Sequence, residues 1–254
     1  MKKPCILQHL PWKVIKDISY DVAVIPWGAT EAHNYHLPYG TDTIETAYIA
    51  GQSASQAWEQ GAKIIVLPCL PYGVNTTQLD IPLTINLMPS TQMMVLKDIV
   101  SSLVSHRIKK IVIMNGHGGN DFKQMIRELY ALFPGHFICQ LNWFHVVNPA
   151  DYFTDTGEHG GEWETSMIMK VAPELVLPLT EAGDGKSKKL KFDAAREGWV
   201  WSPRPWTKIT RDTGIGNPAL ASMDKGERYL YDVIGKIADF LVQLAKTDIN
   251  DLYQ

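Results

Sequence analysis

Three short stretches of this chain gather carboxylates and imidazoles: Glu31-Ala32-His33-Asn34-Tyr35-His36-Leu37-Pro38-Tyr39-Gly40-Thr41-Asp42, Asn115-Gly116-His117-Gly118-Gly119-Asn120 and His159-Gly160-Gly161-Glu162-Trp163-Glu164-Thr165-Ser166. The first two directly follow apolar, strand-like runs. Carboxylate oxygen and neutral imidazole nitrogen suit borderline or hard divalent ions such as Zn, Mn or Fe, and two clusters on neighbouring strands can hold one or two ions between them. The third cluster supplies further ligands or a base.

In an extended segment Glu31 and His33 point the same way, while His36 and Asp42 lie on the descending loop, so Glu31, His33 and Asp42 can converge on a metal. A lone Glu-x-His is more often a surface ion pair. The density of two carboxylates and two imidazoles in one loop favours the metal. In the second cluster the glycines let the main chain turn tightly beside His117 and approach a ligand closely. A phosphate cradle is the weaker reading, because neither the G-x-G-x-x-G order nor a Gly-Lys-Ser/Thr ending is present. In the third, Glu162 and Glu164 cannot share one helical face. One reaches into the site, and Glu164 is the choice. The other caps or solvates a helix start, where negative charge is favourable, and the alternative is that both do only that. His36 is expected to orient a ligand rather than to be one.

The elements that must position these clusters follow from hydrophobic patterning. Val22–Ile25, Lys63–Leu67, Lys110–Met114 and Phe137–Leu141 are short apolar runs rich in β-branched residues, the pattern of strands buried on both faces. Helical character spans Thr43 to Gln60, Ser90 to Arg107, Asp121 to Phe133 and Asp224 to Lys246, with Ser90 or Thr91 as a cap for the second. Alternating strands and helices imply an α/β fold, a three-layer α/β/α sandwich with a mostly parallel central sheet in a single domain over 1–254. In such sheets ligands collect at the carboxyl ends of the strands, where the first two clusters begin. Glu181 to Asn217 breaks the alternation with five lysines, two prolines and three tryptophans, and reads as a lid or subunit contact.

Composition removes several function classes. A chain of 254 residues with net charge −3 and no Lys/Arg block has no electrostatic footprint for nucleic acid. No apolar run is long enough for a bilayer and no signal-peptide core follows the N-terminus, so a soluble cytoplasmic protein is expected. Cys5, Cys69 and Cys139 lack a CxxC spacing and read as structural thiols.

The residues resemble the creatininase (creatinine amidohydrolase) family. Its pattern Gly-Ser/Ala-x-Glu-Gln-His-Gly-Pro-His-Leu-Pro with a downstream Asp is met by Gly28 to Pro38 and Asp42. Asn115 to Asn120 matches Asn-Gly-His-Gly-Gly-Asn, and His159 to Ser166 resembles His-Ala/Gly-Gly-x-x-Glu-Thr-Ser. The resemblance implies a divalent-metal-dependent amidohydrolase with two ions per chain. Asp42 would bridge them, with Glu31 and His117 on one ion and His33 on the other. His159 would be the catalytic proton-transfer group. Creatininase carries a further Glu two residues after the second-motif histidine, where this chain has Gly119. That departure counts against creatinine as substrate and implies that Glu164 completes the ligand set. Ala32, Asn34 and Tyr35 also depart from Gln-Gly-Pro. His36, Asn115, Asn120 and Glu162 are expected around the ligands or against the substrate, a small amide, cyclic amide or formamide. A homo-oligomer, with a hexamer as one family form, is implied. The competing expectations are a metal-dependent phosphoester hydrolase, for which no arginine or lysine accompanies the clusters, and a non-catalytic metal-binding protein.

Overall fold

The structure, a computed structural model, describes residues 3–253. Its elements in chain order are α1 (Trp12–Ile15), β1 (Val22–Trp27), α2 (Thr41–Glu59), β2 (Ile64–Val66), α3 (Pro89–Ser105), β3 (Lys110–Asn115), α4 (Lys123–Leu132), β4 (Phe137–Asn142), α5 (Glu162–Val171), the one-turn α6 (Asp193–Arg196) and α7 (Trp206–Ile209), and α8 (Met223–Lys246). The strands form one all-parallel sheet in the order β2-β1-β3-β4.

Strand alternation builds two cores, because successive side chains leave a strand on opposite faces. Val22, Val24, Ile64, Val66, Val112 and Met114 pack beneath α2, α5 and α8. Ala23, Ile25, Trp27, Ile65, Ile111 and Ile113 pack on the other face with Leu96 and Val100 of α3 and Leu129 of α4. This is the three-layer α/β/α sandwich expected from the sequence.

The order 2-1-3-4 puts the switch in strand direction of travel between β1 and β3. That is where open α/β sheets bind ligands. Trp27 and Asn115 are register partners at the ends of those strands, and Gly116 N–H donates to Trp27 O at 2.9 Å. The loops leaving β1 and β3 therefore begin side by side.

Two boundaries differ from the sequence reading in ways that matter. Helix α2 begins at Thr41, so Asp42 sits in its first turn rather than on a descending loop. A carboxylate is favourable there because unpaired backbone N–H groups converge at a helix start. Helix α3 begins at Pro89, with Met88 as N-cap and no capping side chain, rather than with a Ser90 or Thr91 cap. Proline suits that first position because its missing N–H would be unpaired anyway. Among the described residues no helix is long and apolar enough to cross a membrane.

Candidate metal centre

Five elements converge over the β1/β3 switch. The loop after β1 supplies Glu31 and His33, the start of α2 supplies Asp42, and the loop after β3 supplies His117. The approach to α5 brings His159, and its first turn brings Glu164. All six side chains are buried. His33 Nε2 lies 2.9 Å from Asp42 Oδ1 and 3.9 Å from both Glu31 Oε1 and Glu164 Oε1. His117 Nδ1 lies 2.9 Å from Glu31 Oε1 and 3.0 Å from Asp42 Oδ2.

The imidazoles are oriented alike. His33 Nδ1 is 3.1 Å from Glu31 O, His117 Nε2 is 3.1 Å from Val74 O, and His159 Nε2 is 2.8 Å from Ala32 O. A ring nitrogen beside a carbonyl carries a proton and donates, so in each ring the other nitrogen is the one directed at the cluster and available to an ion once neutral. Fixing the tautomer through the far nitrogen is how metal-binding histidines are prepared.

Ligand atoms within 4.8 Å of one another form the sets Glu31–Asp42–His117, His33–Asp42–Glu164 and Glu31–His33–His159. The first two share Asp42. The donor set, imidazole nitrogen with carboxylate oxygen and no thiolate, fits a divalent ion of the Zn or Mn type. The fit is reinforced by buried atoms without hydrogen-bond partners, His33 Nε2 and Asp42 Oδ2, both facing the cluster. Such atoms are costly to bury unless something binds them.

Electrostatics point the same way. Burial alone would lower the pKa of His33, but Asp42, Glu164 and Glu31 raise it to about 10. For His117 burial again opposes, and Glu31 and Asp42 raise it well above the usual imidazole range. Burial pushes Asp42 and Glu31 up, yet the neighbouring histidines prevail and hold both below the usual carboxylate range. Glu164 goes the other way: its burial outweighs His33, and its pKa rises to about 7. The cluster thus demands positive charge at its centre. His159 behaves differently, lowered to about 4 by burial and then by His33, so its ring is neutral. It stacks on His33 with ring centroids 4.0 Å apart and meets Trp206 at 4.5 Å.

The remaining expected residues surround the cluster. Asn115 Oδ1 accepts from His117 N–H at 3.2 Å and from Asn120 Nδ2 at 3.0 Å, while Asn115 Nδ2 donates to His117 O at 3.0 Å. Asn120 Oδ1 in turn accepts from Val74 N–H at 3.1 Å. Both asparagines therefore shape the loop that carries His117. His36 Nε2 contacts Thr165 Oγ1 at 2.8 Å and touches no ligand atom directly. Glu162 is not brought to the cluster. Its carboxylate pairs with Lys225 and accepts from the Thr154 and Asp155 N–H groups, and neither Glu162 nor Glu164 caps α5, whose N-cap is Gly161.

Several residues near the centre carried no sequence signal. Gln78, in the loop after β2, donates through Nε2 to Glu31 Oε2 and fixes that carboxylate. Glu45 is fully buried one turn after Asp42, and both its oxygens lack partners. Burial, then Glu164 and Asp42, raises its pKa well above the ordinary range. Loops after strand ends were the place to look for Gln78. Glu45 is hidden in an ordinary helix.

Local backbone explains two departures from the family pattern. Asn34 adopts φ 55°, a left-handed conformation that asparagine tolerates better than most residues, and its side chain accepts from Gly183 N–H at 2.7 Å. It thereby ties the β1 loop to the 181–217 excursion. At Gly119 a Cβ would lie 2.3 Å from Val74 O and 2.4 Å from His117 Nε2. This backbone has no room for any side chain there, and so none for a carboxylate.

Above the cluster is a cavity of about 580 Å³, walled by Trp163, Trp206 and residues 201–204 of the excursion. A cavity of ~300–1,000 Å³ is the usual size for a small-molecule site.

Comparison with known proteins identifies the family of the chain. Residues 8–241 match the family model described as Creatininase, creatinine amidohydrolase. The chain is 27% identical over 86% of its length, and 83% of the other's, to the mycofactocin precursor peptide peptidase of Mycolicibacterium smegmatis. It is 26% identical to the creatinine amidohydrolase of Pseudomonas putida, over 94% of this chain and 96% of that one. A solved chain from Bacteroides fragilis, described as a presumptive creatinine amidohydrolase, is 43% identical over 100% of both chains with TM-score 0.94. Creatininase in a Zn-Zn type and in a Mn form is also similar, at 25% identity and TM-scores of 0.76 and 0.79, over 95% and 96% of this chain and 98% and 100% of theirs.

Proposed function

The chain belongs to the creatininase family of hydrolases, and from that premise we propose that it cleaves a non-peptide C–N bond in a small amide, cyclic amide or formamide with two divalent ions per chain. The observation that carries this reading is the double membership of Asp42 in two ligand sets, one oxygen toward each. Glu31, His117 and Asp42 would hold one ion, and His33, Asp42 and Glu164 the other. Such a pair supplies carbonyl polarisation and lowers the pKa of water toward neutrality.

The chain's own groups then handle binding and protons. The cavity admits the amide above the floor made by Glu31, Asp42 and His117. His159 has its Nε2–H committed to Ala32 O, so its work is done at Nδ1, 4.0 Å from Glu31 Oε1. Because the ring starts neutral, Nδ1 first accepts a proton from the attacking water and then delivers it to the departing nitrogen. A positioned group of this kind contributes roughly 10²–10⁴-fold. The Trp206 ring packs against the imidazole at a tilt, with centroids 4.5 Å apart. Asn115 and Asn120 hold the His117 loop, and Thr165 holds His36. A homo-oligomer is part of the same proposal, by family resemblance, and sedimentation of the purified protein checks it.

The test is turnover by the metal-loaded protein on creatinine, a panel of formamides and lactams, a short peptide and a chromogenic phosphoester. Amide turnover with little on creatinine is expected, given the closed backbone at Gly119. Turnover of the phosphoester alone contradicts the reading, and robust creatinine turnover contradicts the exclusion of creatinine argued from Gly119.

A further inference from the structure

At the rim of the cavity Arg204 faces Glu158, Nη1 to Oε1 2.7 Å, both side chains about half exposed. Arg204 is the only lysine or arginine among the described residues lining the cavity. Its guanidinium makes no other ion pair or hydrogen bond among the described residues, so most of its N–H fork faces open space. A half-exposed ion pair contributes only ~0.2–1 kcal/mol to stability. The pair is therefore easily exchanged for a ligand.

Its position is well fixed. Arg204 stands between Pro203 and Pro205, which restrict the backbone on both sides. Two residues on, Trp206 N–H donates to Thr77 O at 3.1 Å, and the Trp206 ring packs on His159. Glu158 immediately precedes His159. The ion pair thus sits directly outside the imidazole that moves the proton, on segments anchored to the site itself.

A guanidinium recognises a carboxylate through two parallel N–H bonds. One guanidinium with an acidic neighbour and no second cation matches a monoanion better than a phosphate. The cavity is also much larger than a bare cyclic amide requires.

We propose that Arg204 anchors the substrate, and that the substrate class is a small amide bearing a carboxylate remote from its scissile carbonyl. The carboxylate docks on Arg204, displacing Glu158, while the amide reaches the floor of Glu31, Asp42 and His117. The amide part rests on the hydrolase reading above; the carboxylate anchor is tested by binding alone.

Calorimetric titration of the metal-loaded protein with N-acetyl-L-phenylalanine and its neutral counterpart N-acetyl-L-phenylalaninamide makes the comparison, with metal content measured on every variant. The acid is expected to bind about tenfold more tightly than the amide. Arg204→Gln should erase that preference with metal content unchanged, and Glu158→Gln should tighten the acid several-fold without affecting the amide. An acid preference that survives in Arg204→Gln overturns the proposal, as does equal binding, or no binding, of the two probes to the unaltered protein. Tetraglycyl-phenylalanine is the third probe: tighter binding than the small acid would move the carboxylate to a peptide C-terminus and overturn the small-molecule class. If the acid preference holds while no amide is hydrolysed, the hydrolase reading fails and the anchor stands.

Discussion

Nε2 of His33 and Oδ1 of Asp42 lie 2.9 Å apart, and neither atom is needed elsewhere: His33 spends its other nitrogen on Glu31 O, and Asp42 turns its second oxygen to His117. Burial disfavours charge on His33, but Asp42, Glu164 and Glu31 outweigh it and hold the His33 pKa up at about 10. Ligand histidines must be neutral to bind an ion, so loading the site releases protons. Apparent metal affinity should therefore rise with pH through the neutral range, and titration in weakly buffered solution should show protons liberated on metal addition. Proton-neutral uptake would mean that metal does not enter at His33 and His117.

Glu164 and Glu162 give opposite outcomes. Glu164 faces His33 at 3.9 Å, whereas Glu162 is occupied by Lys225 and two backbone N–H groups. Glu164→Gln should lose one ion and most activity. Glu162→Gln should keep its metals but lose stability, because it leaves a buried hydrogen-bond network short of a charged acceptor. Elemental analysis and urea unfolding of both variants read this, and loss of metal from Glu162→Gln would show that the start of α5 is oriented otherwise.

His159→Ala should keep both ions while kcat falls by roughly 10²–10⁴-fold. His159 also belongs to a ligand set with Glu31 and His33. Loss of an ion from His159→Ala would move it from proton transfer to ligation, and His36 would become the next proton-transfer candidate.

Glu45 yields a prediction about stability. Its folded pKa lies above the ordinary 4.5, because burial and the Glu164 and Asp42 carboxylates disfavour its charge. Between 4.5 and its folded pKa the native state holds the proton that the unfolded chain has released. Stability of the metal-free protein should therefore fall as pH rises through that window, by at most about 1.4 kcal/mol per pH unit from this one group. Glu45→Gln, which cannot ionise, should become progressively more stable than the unaltered protein as pH increases above 4.5. Urea unfolding at several pH values checks this, and a constant difference would mean that Glu45 is ionised in the native state.

Much of the framework was legible because its causes are local. The runs of Val and Ile that become β1, β2 and β3 are buried on both faces, so they had to be apolar throughout. The strand ends then located the first two clusters. Asp42 was harder to place: its helix starts two residues earlier than the apolar periodicity showed, since Thr41 and Asp42 belong to the helix by backbone geometry and not by an apolar face. The support of Glu31 by Gln78 and the pairing of Arg204 with Glu158 join segments 47 and 46 residues apart. Such contacts arise only from tertiary packing and leave no period or motif behind. Asn34 lies between these cases, since asparagine at a place where the family pattern has glycine is consistent with the left-handed turn found there.

The most direct test of the central claim is the metal content of Asp42→Ala beside that of the unaltered protein, both stripped, reloaded with Zn or Mn and measured by elemental analysis. Two ions per chain are predicted for the unaltered protein and close to none for the variant, because both ligand sets lose a member at once. Full metal content in Asp42→Ala, or loss of only one ion, would contradict a centre built on a shared Asp42.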